Sequence, residues 1–368
     1  MSPAFDSTRQ AAAFVLLLAV LLAAPWLAGK TLLPPREQAY TAEGWKWGPY
    51  PWIHQQLFEE TNDIDIAFLG SSHLMWGVHT PSVQQQLAEH LGHPAVVRSI
   101  CWAYAGFDAL YFFTRDLLDR RQVKILVFYD ESSGPHPNPE APFWFRFGDD
   151  AGALRGLPWR EQGMYYYAAM VGMPRNLLTL FTPELGGELD RHQPNYYEAR
   201  YLTPNPPSQL GCVSARMGFD PGYAENPNFT PWQVPVSLVP PEPVVYSPAT
   251  AAQFQFSSPP VAPWQAHFAR LFGELARQHG CRMVMLHLPV LAEKADPVIH
   301  ESSVWPEALD HRPTLLGLPP ARLFAGLSAA EVQLLYADPG HFNQNGQEYF
   351  TRILTPALLR IYESPVHD

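Results

Sequence analysis

The sequence has 368 residues, of which 47% are apolar and 16% charged, and its formal net charge is −11. That length suits one large α/β domain or two smaller ones, and the composition supports a sizeable core rather than disorder. The acidic balance argues against a nucleic-acid partner, which calls for a basic face. The 39 prolines, roughly twice the usual frequency of about 5%, imply long non-regular stretches.

The first readable element is Ala11 to Ala28, a run without a charge. At about 1.5 Å per residue it is just long enough to cross a bilayer core. Arg9 precedes it, and Trp26 suits the far interface. A cleavable signal peptide is the alternative, but its small-x-small site is poor: a cut after Ala24 meets Pro25, and Ala28 has Trp26 two residues before it. The expectation is therefore an uncleaved anchor within residues 1–29. A juxtamembrane connector follows over 30–61, rich in Trp, Tyr and Pro. Either reading exports the remainder.

Ile64 to Leu69 reads as a buried strand bounded by Asp63 and Gly70. Pro81 to Leu91 reads as a helix with Thr80 as its N-cap and Gly92 after its end. Val96 to Ile100 is a second strand, Asp108 to Arg120 a second helix, and Lys124 to Phe128 a third strand. Such alternation is the signature of a parallel sheet with crossover helices.

The pattern then breaks. From Glu131 to about Pro263 no periodicity persists, although Met164 to Phe181 has helical character, and fourteen prolines fall between Leu202 and Pro263. This is too much chain for one loop. It reads as an insertion, 131–263, packed on the main domain by aromatics such as Phe143, Trp144, Phe145, Trp232, Phe254 and Phe256; a disordered linker is less consistent with that aromatic content. Its acids, including Asp150 and Glu184, are expected to be solvated. Alternation resumes with a helix over Trp264 to Leu275 closed by Gly280, a strand over Arg282 to Leu288, a short helix capped by Ser328, a loop over Asp338 to Asn343, and a helix over Gln344 to Thr355. One domain, 62–368, interrupted by the insertion, accounts for all of this.

Two stretches carry chemistry. Ile64-Asp-Ile-Ala-Phe-Leu-Gly-Ser-Ser-His73 ends an apolar strand in a Gly-Ser turn, which places Ser72 at the C-terminal edge of a sheet. Asp338-Pro-Gly-His-Phe-Asn343 sets a carboxylate three residues before a histidine. A serine hydroxyl needs a base to take its proton, and the base works best when a carboxylate holds its second nitrogen. Ser72, His341 and Asp338 thus form a candidate nucleophile, base and orienting acid.

Gly70-Ser71-Ser72 and Asp338-Pro-Gly-His341 resemble the first and last blocks of the SGNH hydrolase (GDSL-like) superfamily, with Ser71 in place of the usual Asp. The resemblance covers about residues 62–130 and 264–360. It implies a three-layer α/β/α fold on a central parallel sheet, flavodoxin-like in plan, with Gly106 in the position of an oxyanion-hole glycine. The family's third block presents an asparagine after the third strand. Here Phe128-Tyr-Asp-Glu-Ser132 stands instead, and an anionic Asp130 would repel an oxyanion. The hole is then expected to rest on the backbone N–H groups of Ser72 and Gly106, and loss of one donor typically costs a few kcal/mol of transition-state stabilisation. With the hydrophobic N-terminus, the resemblance narrows to exported SGNH-like proteins that work beside membrane-bound O-acyltransferases, as in D-alanyl transfer to teichoic acid and acetylation of alginate or cellulose.

That resemblance implies an O-acyltransferase, most simply an O-acetyltransferase, acting on an envelope or secreted polysaccharide. It implies a membrane-bound O-acyltransferase partner and a catalytic domain in the periplasm or otherwise outside the cytoplasm, tied to the inner membrane by one pass. A carbohydrate esterase using the same residues, and a non-catalytic polysaccharide-binding subunit retaining the fold, are the alternatives. His73 and Tyr104 are candidates for substrate contact, and Trp76 and Tyr104 for sugar stacking, with packing as the default. His287 reads as a core histidine. His79, His90 and His93 lack ligand-like spacing, and Cys101, Cys212 and Cys281 fit no metal motif, so no metal and no cofactor are expected.

Overall fold

The computed structural model describes residues 5–28, 37, 53–102, 106–129, 150–167, 242–245, 262–291, 313–318 and 320–364. Eight strands are β1 (Ile64–Gly70), β2 (Val97–Cys101), β3 (Val123–Tyr129), β4 (Val244–Val245), β5 (Arg282–Leu286), β6 (Thr314–Leu316), β7 (Tyr336–Asp338) and β8 (His341–Phe342). The helices used below are α1 (Thr8–Ala28), α2 (Ser72–Gly77), α3 (Thr80–Leu91), α4 (Phe107–Leu118), α5 (159–167), α6 (Pro263–Gln278), α7 (Ala329–Gln333) and α8 (Gln344–Glu363).

Six strands form one sheet in the order β2-β1-β3-β5-β6-β4. Its first five strands are parallel, and β4 is antiparallel to β6. The fold is therefore α/β, as the strand–helix alternation predicts. Successive side chains of a strand point to opposite faces, so β1 sends Ala67 and Leu69 into one core and Ile66 and Phe68 into the other. On the first face lie α4 and α6, through Leu110, Phe113 and Leu117 and through Trp264, Phe268 and Phe272. On the second lie α2, α3 and α8, through Met75 and Trp76, Val83 and Leu87, and Tyr349, Phe350, Ile353 and Leu354. Each such buried side chain contributes about 1.5–3 kcal/mol over its exposed state.

Several boundaries move. His79, not Thr80, occupies the N-cap position of α3, and Gly92 closes the helix at φ 70°, the left-handed geometry glycine takes without steric penalty. The C-terminal helix does not stop at Thr355. It continues through Pro356 to Glu363 because Ala357, Leu358 and Ile361 go on burying against the second face. The strand foreseen over Arg282 to Leu288 ends at Leu286, and the Asp338–Asn343 loop is in fact the antiparallel hairpin β7–β8.

The domain boundaries are corrected at two places. Residues 53–59 of the expected connector are helical, and Ile53 and Leu57 are fully buried in the first core, so this part belongs to the domain. The insertion also contributes to the sheet, through β4, and to the first core, through Leu154, Leu157 and Tyr165. Asp150, expected to be solvated, is fully buried and ion-paired with Arg115. In the insertion a single 3-10 turn spans Ala151–Leu154 and α-helix starts at 159, and 168–181 lie outside the described residues, as do Glu184 and the six aromatics named for the insertion.

Helix α1 exposes Phe14, Leu16, Leu17, Val20 and Leu22. Among the described residues, no helix is long and apolar enough to cross a membrane. Where chain precedes the domain, Glu37 lies 3.7 Å from His54 and 3.8 Å from Arg120. Arg120 sits between the end of α4 and the start of β3, at the N-terminal edge of the sheet.

Candidate active site

Strand β1 lies between β2 and β3, so its C-terminal end is held on both sides by parallel ladders that pair Gly70 with Cys101 and Leu69 with Phe128. Immediately after Gly70 the chain turns. Ser71 takes an extended conformation as N-cap of α2, and its carbonyl accepts from the N–H groups of Leu74 and Met75 at 3.1 and 3.2 Å. Ser72 is the first residue of α2. The sequence marks the turn but not this short helix, which forms because Leu74, Met75 and Trp76 bury against the second face.

The Ser72 hydroxyl oxygen lies 3.0 Å from Nε2 of His341, across 269 residues of sequence. This is hydrogen-bond distance for a nucleophile and its base. Both side chains are only half-buried. In the β7–β8 hairpin the backbone of Asp338 pairs with that of His341, while the Asp338 side chain lies outside the described residues.

Three anchors hold the hairpin. The Tyr336 hydroxyl donates to the Pro289 carbonyl at 2.8 Å, and the Leu291 N–H donates to the Pro339 carbonyl at 3.0 Å, tying the hairpin to the chain after β5. The Asn343 side chain accepts from the Gly346 N–H at 3.1 Å as N-cap of α8 and donates to the Leu334 carbonyl at 2.8 Å. Gly346 lies so close to the preceding turn that an added Cβ would stand 2.1 Å from the Leu335 carbonyl oxygen and 2.6 Å from the Phe342 ring. One bridge joins the two halves of the site: the buried Gln347 amide donates to the carbonyls of Met75 and Val78 at 3.1 and 3.2 Å, linking α8 to α2. The sequence reading missed Tyr336, Asn343, Gly346 and Gln347 as positioning residues. Only Asn343, a good N-cap type just before a helix, carried a local signal.

His73 is buried, at 8% exposure, rather than open to a substrate. Its ring meets Tyr129 edge-on at 4.6 Å between centroids and lies 5.9 Å from the His341 ring. Its Nε2 has no hydrogen-bond partner among the described residues. Burial above all, then the charge of His341 and of His287, lowers its pKa to about 3, so it is neutral at ordinary pH. Trp76 is buried, at 2% exposure, and serves packing rather than sugar stacking. His287 is also buried, beside Gly317, where an added Cβ would stand 3.0 Å from the His287 carbonyl oxygen.

Gly106 is buried and precedes α4 at the same sheet edge. The chain reaches it from Trp102, whose N–H donates to the Gly70 carbonyl at 3.0 Å. Tyr104 and Asp130 lie outside the described residues. Among the described residues no group of three or more His, Cys, Asp or Glu side chains is placed to hold a metal ion, and Cys101 is buried.

The arrangement sets a serine hydroxyl against an imidazole nitrogen at the C-terminal edge of a parallel sheet, where open α/β sheets place their sites; a pair of this kind is chemically able to serve as nucleophile and base. A scan against protein-family models gives no match to the chain, and a sequence search of curated proteins gives none either.

Proposed function

We propose that the chain is a serine-dependent O-acyltransferase of SGNH type that carries an acyl group, most simply acetyl, to a hydroxyl of an envelope or secreted polysaccharide. The observation that carries this reading is the 3.0 Å contact between Ser72 and His341. In the first half-reaction Ser72 Oγ attacks the acyl carbonyl while Nε2 of His341 takes the hydroxyl proton. The same nitrogen then gives that proton to the leaving group as the tetrahedral intermediate collapses. In the second half, His341 takes the proton of a sugar hydroxyl that attacks the Ser72 ester, and returns it to Ser72 Oγ. Asp338, paired with His341 across the hairpin, would orient Nδ1. Backbone N–H groups of Ser72 and Gly106 would hold the oxyanion, and Asp130 in place of a donor would make water-driven turnover slow.

Residues 11–28 would fix the protein to the inner membrane, with the domain in the periplasm and a membrane-bound O-acyltransferase supplying the acyl group. The docking of Glu37 at the N-terminal edge of the sheet supports a domain whose site opens away from the connector. N-terminal sequencing checks the attachment: a new terminus between Ala24 and Glu37 would make this a soluble exported protein.

The central test uses the full chain in detergent and a serine-directed fluorophosphonate. Wild type is expected to be labelled, and Ser72→Ala and His341→Ala to lose labelling. Labelling of Ser72→Ala equal to wild type rejects the nucleophile, and loss only in Ser71→Ala moves it by one residue. With a small ester, slow consumption that rises on adding an oligosaccharide acceptor, with acylated sugar as the product, supports transfer. Fast hydrolysis indifferent to every glycan would replace transferase by esterase. An unreactive wild type would leave a polysaccharide-binding subunit.

A further inference from the structure

Asp108 is fully buried two residues after Gly106, in the first turn of α4. A carboxylate taken out of water needs charged or hydrogen-bonding partners. The Tyr165 hydroxyl, 57 residues later and inside the insertion, donates to its Oδ2. The Tyr165 ring is itself fully buried, with centroids 5.7 Å from Phe268 and 6.5 Å from Phe112. Two further contacts fasten the same segment of the insertion. Arg115 of α4 pairs with the buried Asp150, and Nε2 of His267 in α6 donates to the Ala153 carbonyl at 2.6 Å.

The placement of these contacts is informative. Apolar packing by Leu110, Phe113 and Leu117 presses α4 onto the sheet, but such contacts resist sliding and rotation only weakly. The Tyr165–Asp108 hydrogen bond is directional and acts on the first turn, next to the backbone group expected to face the oxyanion. Donors must sit about 2.7–3.1 Å from the position the oxyanion will take, held to within about 0.5 Å of that geometry. We propose that Tyr165, acting through Asp108, is a positioning residue that fixes the Gly106 end of α4, so that the insertion sets one side of the oxyanion hole. This rests on the serine-acyl reading above. It gives the 150–167 segment a part in transition-state binding, distinct from covering the site.

The experiment measures fluorophosphonate inactivation of the full chain in detergent, separating the limiting rate from the half-saturating concentration. The phosphoryl oxygen of that reagent occupies the oxyanion position. Tyr165→Phe keeps the ring and removes the hydroxyl. It is expected to lower the limiting rate about tenfold, leaving the half-saturating concentration and the midpoint of the pH–rate profile unchanged. Asp150→Asn is the comparator: it loosens the neighbouring ion pair and should lower the melting temperature without that rate loss. Asp108→Asn keeps an acceptor oxygen but loses the charge that strengthens the bond; it should lower the limiting rate relative to wild type, by less than Tyr165→Phe, and should Tyr165→Phe not fold, an Asp108→Asn rate equal to wild type overturns the proposal. A Tyr165→Phe rate equal to wild type overturns the proposal, as do rates that fall equally in Tyr165→Phe and Asp150→Asn in step with stability. A wild type that does not react at all rejects the acyl reading itself, and this inference with it.

Discussion

The two halves of the site are built differently. Ser72 follows a central strand with hydrogen-bonded ladders on both sides, so its position belongs to the sheet and is as stable as the sheet. His341 sits on a two-stranded hairpin outside that sheet. Its place depends on the burial of Tyr336 and Phe342 in the second core, a few polar anchors and one tight backbone approach, with no ladder on either side comparable to that of β1. Local opening costs least where buried apolar contacts are fewest, so the base side should fail before the nucleophile side. Damage there should reduce reactivity while leaving β1 and its neighbours intact.

The largest test of that contrast is Gly346→Ala. A methyl group 2.1 Å from the Leu335 carbonyl cannot be accommodated unless the hairpin or α8 moves. We expect a loss of about 3 kcal/mol in urea denaturation, at the upper end of overpacking costs, together with loss of Ser72 labelling. Stability equal to wild type would show that the hairpin yields freely. Next comes Asn343→Ala, which removes a helix cap and a donor to the Leu334 carbonyl. About 2 kcal/mol is expected, again with slower labelling. Should labelling fall more steeply in a β1 core variant of matched stability, such as Ile66→Ala, the contrast fails.

His73 gives a test by pH. Burial holds its pKa in the folded protein at about 3, below the ordinary histidine value of 6.5. Between those values the unfolded chain binds the extra proton. The stabilisation is thus complete above about pH 6.5 and is lost progressively as pH falls towards 3, at about 1.4 kcal/mol per pH unit. The imidazoles of His341 and His287 face it, and Tyr129 lies against its ring. His73→Phe should flatten this limb of the stability curve measured by denaturant titration from pH 4 to 7. An unchanged slope would mean that other groups set it. The smallest effect is expected from Tyr336→Phe, which loses one hydroxyl bond to the Pro289 carbonyl, about 1 kcal/mol. It should slow labelling slightly, and a gain in stability would count against the anchor.

What was legible in the sequence follows the same division. Ile64–Leu69 and Lys124–Phe128 contain the unbroken apolar runs Ile66–Leu69 and Ile125–Phe128, and such runs announce buried parallel strands. The pairing of Ser72 with His341 followed from placing both at the same sheet edge. Strands β4 and β6, of two and three residues, are too short to show a period. The hairpin looked like a loop because Pro339 and Gly340 dominate its composition. Asp108–Tyr165, Arg115–Asp150 and Gln347 with the α2 carbonyls join residues far apart in sequence. A buried polar pair has no local pattern, and a lone acid in an insertion looks like any solvated acid until its arginine is found.

The 269-residue interval between Ser72 and His341 also has a consequence in time. At roughly 5–20 residues per second, the ribosome completes the nucleophile on the order of 15–50 seconds before it adds the base. During that interval β1 and its neighbours can pair, but the serine has no proton acceptor and stays inert. Helix α8, which bridges to α2 through Gln347, follows His341 and is synthesised after it. On the proposed reading, reactivity would be deferred until His341 is made, and a chain broken between β6 and His341 would retain all six strands of the sheet yet lack the proposed base.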